Sequence, residues 1–408
     1  MKARCLKTIK RISAAEYFSL TPALRIFWLK VVLCLAFLAG LLLSIKLWLT
    51  SRSYPLSPVF EALPAVPFPF DYFLFVALLV LLILIIILAR PRRWIVTFII
   101  LAGLLSLWDQ SRWQPWFYQY TLMFAAMSFY SWGQPNVEEQ EALLNTCRLI
   151  VIAIYFWSGI QKINFSFLHE IFPPLINPFL HLIFRVKIAF PALLSIVVPV
   201  SEISIGIGLL TRKFRRISVL LALITHASIL LLFIPFRRND VVWPWNMAMA
   251  SFVFILFWQT KVLSFKDILL APKNHAHKIA VALFVVMPLF SFFNLWDSYL
   301  SSSLYSGNVA QAIIIMSEPV KNRLPAGVQH YCLRSSDGRE VLIINKWSYE
   351  ELNVPSYPEP RVFKNIARQI CGYAENPSEV ILKIYEKPNW LSGFREQRSV
   401  CLRRSGAR

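Results

Sequence analysis

The chain has 408 residues, of which 57% are hydrophobic, 15% aromatic and only 16% charged, with a mean hydropathy of +0.55. That leaves too little polar surface to cover a water-soluble globule of this length, and it places the chain in a bilayer. The formal net charge of +20 would point a soluble protein toward nucleic acid. Here the Lys and Arg residues gather in short clusters between apolar runs, without a basic helix or aromatic-basic alternation, so nucleic acid is excluded and the charge reads as topology.

Apolar runs long enough to cross roughly 30 Å of hydrocarbon recur about nine times. The expected spans are Ile26 to Leu47, Tyr72 to Leu88, Trp94 to Leu107, Pro115 to Trp132, Leu144 to Ile160, Ile188 to Leu210, Ile217 to Pro235, Val241 to Trp258 and Ile279 to Leu295. Cations precede the first span (Lys2, Arg4, Lys7, Lys10, Arg11), separate the second from the third (Arg90, Arg92, Arg93), and follow the sixth (Arg212, Lys213, Arg215, Arg216) and the eighth (Lys261, Lys266, Lys273). With nine spans all these clusters fall on one side, which puts the N-terminus in the cytoplasm and the C-terminus outside the cell (inner) membrane. Arg237 and Arg238 would lie outside, against the rule, and Glu138, Glu139 and Glu141 would lie inside, where acidic residues carry little weight.

From about Ser301 the pattern changes. Val309 to Ile315, Val341 to Ile344 and Val380 to Tyr385 read as strands, and Arg361 to Tyr373 reads as an amphipathic helix. The expected fold class is therefore an all-α polytopic membrane protein of about nine transmembrane helices with a small C-terminal α+β extracytoplasmic domain. Its parts are a basic cytoplasmic N-terminus (1–25), a transmembrane domain (26–298) and the tail (299–408). Cys332, Cys371 and Cys401 lie in the tail, where an extracytoplasmic location permits one disulfide whose pairing spacing does not fix. Cys5, Cys34 and Cys147 are too scattered for a metal site, no metal is expected, and no nucleotide or zinc motif occurs.

Between the fifth and sixth spans, Phe165 to Lys187 is apolar but interrupted by Pro173, Pro174 and Pro178. A broken apolar segment either lies at the interface or dips back under cover of protein. Four polar positions in the spans carry the chemistry. Glu202 is either a tie to a cation on another helix or a proton relay or substrate ligand. His226 is either a hydrogen-bonded core histidine or part of that site. Asn246 follows the Trp243-Pro244-Trp245 kink, where it bonds either backbone or substrate. Lys162, at a span end, is either an interface anchor or a base held out of water.

Tyr155-Phe156-Trp157-Ser158-Gly159-Ile160-Gln161-Lys162-Ile163-Asn164 resembles the aromatic-aromatic-small-Gly-x-Lys-Lys-Leu-Asp segment of the vitamin K-dependent gamma-carboxylases and their bacterial relatives, the horizontally transferred transmembrane (HTTM) domain proteins. His226 and the run Met247-Ala248-Met249-Ala250-Ser251 are similar to the family's His-containing span and its successor. Glu202 with Ile205-Gly206-Ile207-Gly208-Leu209-Leu210 is similar to a pattern of DoxX-type membrane proteins. Gln161 replaces the family's first lysine, Asn164 its aspartate, and no histidine stands near Gln114-Pro115-Trp116-Phe117-Tyr118.

The resemblance implies that Lys162 is the catalytic base, its ammonium disfavoured by burial among aromatics, with His226 positioning a quinol oxygen and Glu202 completing the set. A reduced naphthoquinone is the implied cofactor, lined by Tyr118, Tyr155, Trp157 and Asn246. The expected function is a quinol-dependent lysine-base enzyme acting on a lipophilic or small substrate. The alternative is a non-enzymatic DoxX-like subunit that docks a redox partner through its tail, and transport ranks third because only Phe165 to Lys187 looks like a broken mid-membrane helix.

Overall fold

The computed structural model describes residues 20–185, 189–234, 239–260, 264–269 and 275–401, the side chain of Cys401 excepted. The N-terminal cation cluster, Cys5, Lys187, Pro235, Arg237, Arg238, Lys261 and Lys273 lie outside the described residues.

The main helices before the tail are α1 (Pro22–Leu43), α2 (Phe70–Ile87), α3 (Arg92–Trp108), α4 (Pro115–Ser128), α5 (Val137–Gln161), α6 (Phe172–Phe184), α7 (Val197–Leu210), α8 (Arg215–Phe233), α9 (Val242–Phe257) and α10 (His275–Ala280). α10 continues through a π-helical turn, Val281–Val286, into Met287–Phe290. Among the described residues seven helical stretches are long and apolar enough to cross a bilayer: Pro22–Leu43, Phe70–Ile87, Val137–Gln161, Phe167–Phe184, Ala192–Leu210, Arg215–Phe233 and His275–Phe293. The chain is a helical membrane protein with a small antiparallel sheet near its C-terminus.

Two expectations differ from these helices. The fourth and eighth expected spans, each 18 residues in the sequence, form helices of 14 and 16 residues, about 21–24 Å at 1.5 Å per residue, while the short third expected span, Trp94 to Leu107, lies within a longer helix of 17 residues. Phe167–Phe184 is one continuous helical stretch rather than a broken segment. Pro173 and Pro174 sit in the first turn of α6, where the missing N–H has no helical acceptor, and a π turn over Phe167–Ile171 leads into it.

α5 is buried along most of its length and forms the hub. It crosses α7 closely because the contact is made by glycines: a Cβ on Gly159 would stand 2.6–2.9 Å from Pro199 and Ile203, and one on Gly206 would stand 3.1–3.3 Å from Ile152 and Phe156. Buried arginines close helix ends. Arg25 and Arg148 donate to the carbonyls of Ile255, Trp258 and Leu256 at the C-terminus of α9, where the helix dipole and the unpaired carbonyls both favour a cation.

The tail sheet comprises β1 (Gln311–Met316), β2 (Cys332–Arg334), β3 (Glu340–Ile343), β4 (Val380–Tyr385) and β5 (Gln397–Cys401). Its order is β2-β3-β1-β4-β5, all antiparallel, with Ile314 opposite both Leu342 and Leu382. Val380, Leu382 and Ile384 alternate inward, as period-two burial requires. Two helices, α11 (Ile344–Leu352) and α12 (Pro360–Cys371), pack on the sheet, α12 through Val362, Phe363, Ile366 and Ile370. The edge strands β2 and β5 are short and largely exposed, with no apolar alternation to mark them in the sequence. Cys332 is a free thiol.

The tail is seated on one end of the bundle. Asn353 donates to the Leu43 carbonyl ending α1 (2.9 Å), Arg361 to Gln110 after α3 (2.7 Å), and Gln114 before α4 to the Pro355 carbonyl (3.1 Å). Asn308 donates to Gln161 ending α5 (2.6 Å), and Asn239 before α9 donates to Tyr305 (2.7 Å). The loop after α1 is held by Ser53, whose N–H and hydroxyl donate to the Glu351 carboxylate at 2.6 and 2.5 Å. It is held again by a fully buried Arg52–Asp109 pair at 2.5 Å.

Candidate functional site

α5 ends at Gln161, so Lys162 is the capping residue and its side chain turns back along the helix over Ser158, one turn earlier. The glycine-mediated crossing then sets Glu202 of α7 against it. The Lys162 Nζ donates to Glu202 Oε2 at 2.7 Å, Glu202 Oε1 at 3.0 Å and Ser158 Oγ at 2.5 Å, with a 3.4 Å contact to the Ser158 carbonyl. An ammonium has three N–H donors, and here each has an acceptor. Both side chains are about nine-tenths buried, at 9% and 10% exposure.

A second chain of hydrogen bonds runs beside the first. Asn246 on α9 donates its amide N–H to the Val242 carbonyl at 2.8 Å, which leaves its Oδ1 facing His226 Nδ1 on α8 at 2.8 Å. Nδ1 therefore carries the proton, Nε2 is the acceptor, and the Tyr155 hydroxyl of α5 donates to it. The phenolic hydrogen is committed to the histidine, so the Tyr155 oxygen presents lone pairs outward.

Both chains border one cavity of about 140 Å³, whose walls include Tyr155, Ser158, Lys162, Glu202, His226 and Asn246. Phe172 and Leu175 of α6 border it on one side, and Ser302, Leu304 and Tyr305 of the linker into the tail on another. Ser302 and Tyr305 are left-handed at φ 60° and 57°, a conformation that non-glycine residues hold only where packing fixes it.

Five of the seven residues singled out from the sequence thus meet at one cavity. Trp157 and Tyr118 do not line it: Trp157 donates to the Val285 carbonyl (3.1 Å), and Tyr118 stacks on Phe284 and donates to the Leu283 carbonyl (3.4 Å). Both pack on the final span, so Lys162 is flanked by Ser158 and Glu202 rather than by the Trp157 ring. The family departures are structural. Gln161 bonds Ser291 and Asn308, and Asn164 bonds the Gln161 and Ser306 carbonyls and caps the Phe167 N–H. Ser158, Met249, Trp245 and Tyr305 were not singled out. Ser158 was legible from its four-residue spacing to Lys162, whereas Tyr305 lies far along the chain with no pattern to place it.

No family model, curated protein or solved structure matches the chain.

Gly159→Ala is expected to force α5 and α7 apart, lower stability by about 1–3 kcal/mol through overpacking, and weaken the Lys162–Glu202 coupling. A double-mutant cycle across the pair in the Gly159→Ala background measures that loss.

Proposed function

We propose that the chain is a proton-transfer enzyme of the cell membrane, HTTM- and carboxylase-like, acting on a small or single-ring lipophilic substrate that carries an acidic hydrogen. The observation that carries the reading is the Lys162–Glu202 pair on the wall of the same cavity as the Tyr155–His226–Asn246 chain. Within the pair, a proton moving from the ammonium to the carboxylate leaves an amine and a carboxylic acid with no change in net charge. The amine then takes the substrate's hydrogen, and the resulting ammonium faces the substrate anion. The Tyr155 oxygen accepts from a second substrate hydroxyl and orients it.

The implied reduced naphthoquinone supplies a strong base when bound. The cavity of about 140 Å³ has room for about one ring and is open on one side, so the second ring and chain of a naphthoquinol would extend out of it, and no step is written through it. A saturable ultraviolet shift of an added nitrophenol to its phenolate is expected with the detergent-purified protein and is expected to vanish in Lys162→Ala. Equal ionisation by a folded Lys162→Ala protein ends this reading. The saturation of all three ammonium donors favours the second reading, a DoxX-like subunit in which the pair is a structural tie. A stoichiometric co-purifying partner, with activity indifferent to both residues, would establish that one.

Nine spans, with the N-terminus cytoplasmic and the tail outside, complete the proposal. In support, α5 and α7 are antiparallel neighbours, with Gly159 at Pro199 and the Ser195 hydroxyl donating to the Leu168 carbonyl. α6 therefore leaves and returns on the tail side and adds no crossing. Arg90, Arg92, Arg93, Arg212, Lys213, Arg215 and Arg216 all stand at the ends away from the tail. A reporter active only outside the cytoplasm is expected to function when fused at Arg408. Activity of a cytoplasm-only reporter there would overturn the count.

A further inference from the structure

A second cleft, which shares no lining residue with the Lys162 cavity, lies where the tail meets the end of the last helix before it. It measures about 340 Å³ and is bordered by Asn294, the N-terminus of α12, the end of β4 and the edge strand β5. Its walls carry four cations, Arg361, Lys364, Lys387 and Arg398, and two carboxylates, Glu359 and Glu386.

Most of these charges are already matched. Arg361 is held by both oxygens of Asp297, and Arg398 is shared by Glu386 at 3.3 Å and Glu396 at 3.7 Å. Three groups keep open valences. Lys387 donates once, to the Ser291 carbonyl at 2.7 Å, and its other N–H groups have no acceptor among the described residues. Lys364 has no partner among them and is exposed. Glu359 accepts the Ser298 N–H (2.8 Å) and hydroxyl (3.0 Å) on Oε1 alone, leaving Oε2 unbonded among the described residues.

Two unsatisfied ammonium groups and one unsatisfied carboxylate oxygen on one concave surface do not suit a bare anion, which Glu359 repels, nor a bare cation, which the lysines repel. They suit a ligand with both signs. We propose that this cleft binds an aminophosphate, the phosphoethanolamine group, with Lys364 and Lys387 on the phosphate and Glu359 on the ammonium. Burial and the nearby Asp297 charge raise the Glu359 carboxyl above its ordinary range against the opposing pull of Lys387, and burial lowers the Lys387 ammonium although Glu359, Asp297 and Glu386 favour its charge. Each group therefore gains from an incoming opposite charge. The cleft lies beside the end of a membrane helix, so the group arrives either on a phospholipid or as a soluble molecule.

The test is calorimetric titration of the full-length protein with O-phosphoethanolamine, in nanodiscs of phosphatidylcholine and of phosphatidylethanolamine. Saturable binding in phosphatidylcholine discs that disappears in phosphatidylethanolamine discs supports the site with a lipid as its source. Binding that persists in both supports it with a soluble source. Lys364→Ala, a surface change that leaves the fold intact, is expected to weaken binding about tenfold, the equivalent of one charge-assisted contact. Glu359→Gln is expected to erase the preference for O-phosphoethanolamine over inorganic phosphate. Absence of saturable binding in phosphatidylcholine discs, or binding unchanged in both variants, overturns the proposal.

Discussion

Lys162→Ala is expected to destabilise the folded protein by about 3–5 kcal/mol, because it leaves the Glu202 carboxylate buried without its counter-charge. The same change made together with Glu202→Leu is expected to recover the part of that loss that comes from the unpaired carboxylate, while the cavity left by the lysine stem remains. Thermal unfolding of the four proteins in one detergent, followed by tryptophan fluorescence, gives the coupling directly. A double variant no more stable than Lys162→Ala would mean that Glu202 is solvated or protonated without the lysine, and the pair would then contribute little to the fold. The comparison also separates the two functional readings: a structural tie predicts that the restored double variant keeps every property of the wild type, whereas a proton-transfer site predicts a stable but inert protein.

Arg112→Ala is expected to cost a similar amount, about 3–5 kcal/mol. The guanidinium is fully buried and donates to the carbonyls of Leu47 (3.0 Å), Leu105 (2.6 Å) and Trp48 (2.9 Å), while lying over the Trp48 ring at 5.3 Å. Its removal strands two buried acceptors, the Leu105 and Trp48 carbonyls, each worth about 1–3 kcal/mol when unsatisfied, while the Leu47 carbonyl still accepts from Arg52 at 2.9 Å. Arg112→Lys restores only part, because a single ammonium cannot span carbonyls that a planar fork reaches. The segment it anchors carries Ser53, which grips Glu351 of the tail. Hydrogen exchange in α11 is therefore expected to accelerate along with the drop in melting temperature. Unchanged exchange there would show that the tail holds without this loop.

The membrane class was legible because hydrophobicity over twenty residues is a strong signal that needs no tertiary information. The Lys162, Glu202 and His226 positions were legible for the complementary reason, that polar groups inside apolar runs require partners. Which partners they take was not legible. The pairing of Lys162 with Glu202 depends on how closely α5 and α7 approach, and that distance is set by the absence of side chains at Gly159 and Gly206. Trp157 and Tyr118 look like cavity aromatics from their neighbours in sequence, but the helical phase turns them onto the last span. The continuity of α6 is hidden in the sequence because three prolines read as breaks, although two of them occupy a helix's first turn. In the tail, alternation revealed β1, β3 and β4, whose inner faces are buried, and missed β2 and β5, whose edge positions give them little burial to encode.

The tail's grip on the bundle also dictates an order of events during synthesis. Ser53 waits for a partner 298 positions later, and Gln114 for one 241 positions later. The early helices are thus made long before the residues that close their ends exist, and loop-closure entropy makes such distant pairings slow to form. A nascent chain halted after the last span holds the polar ends around Ser53 and Gln114 without their tail partners. The helices made first are closed at these ends only once the tail has folded back onto them.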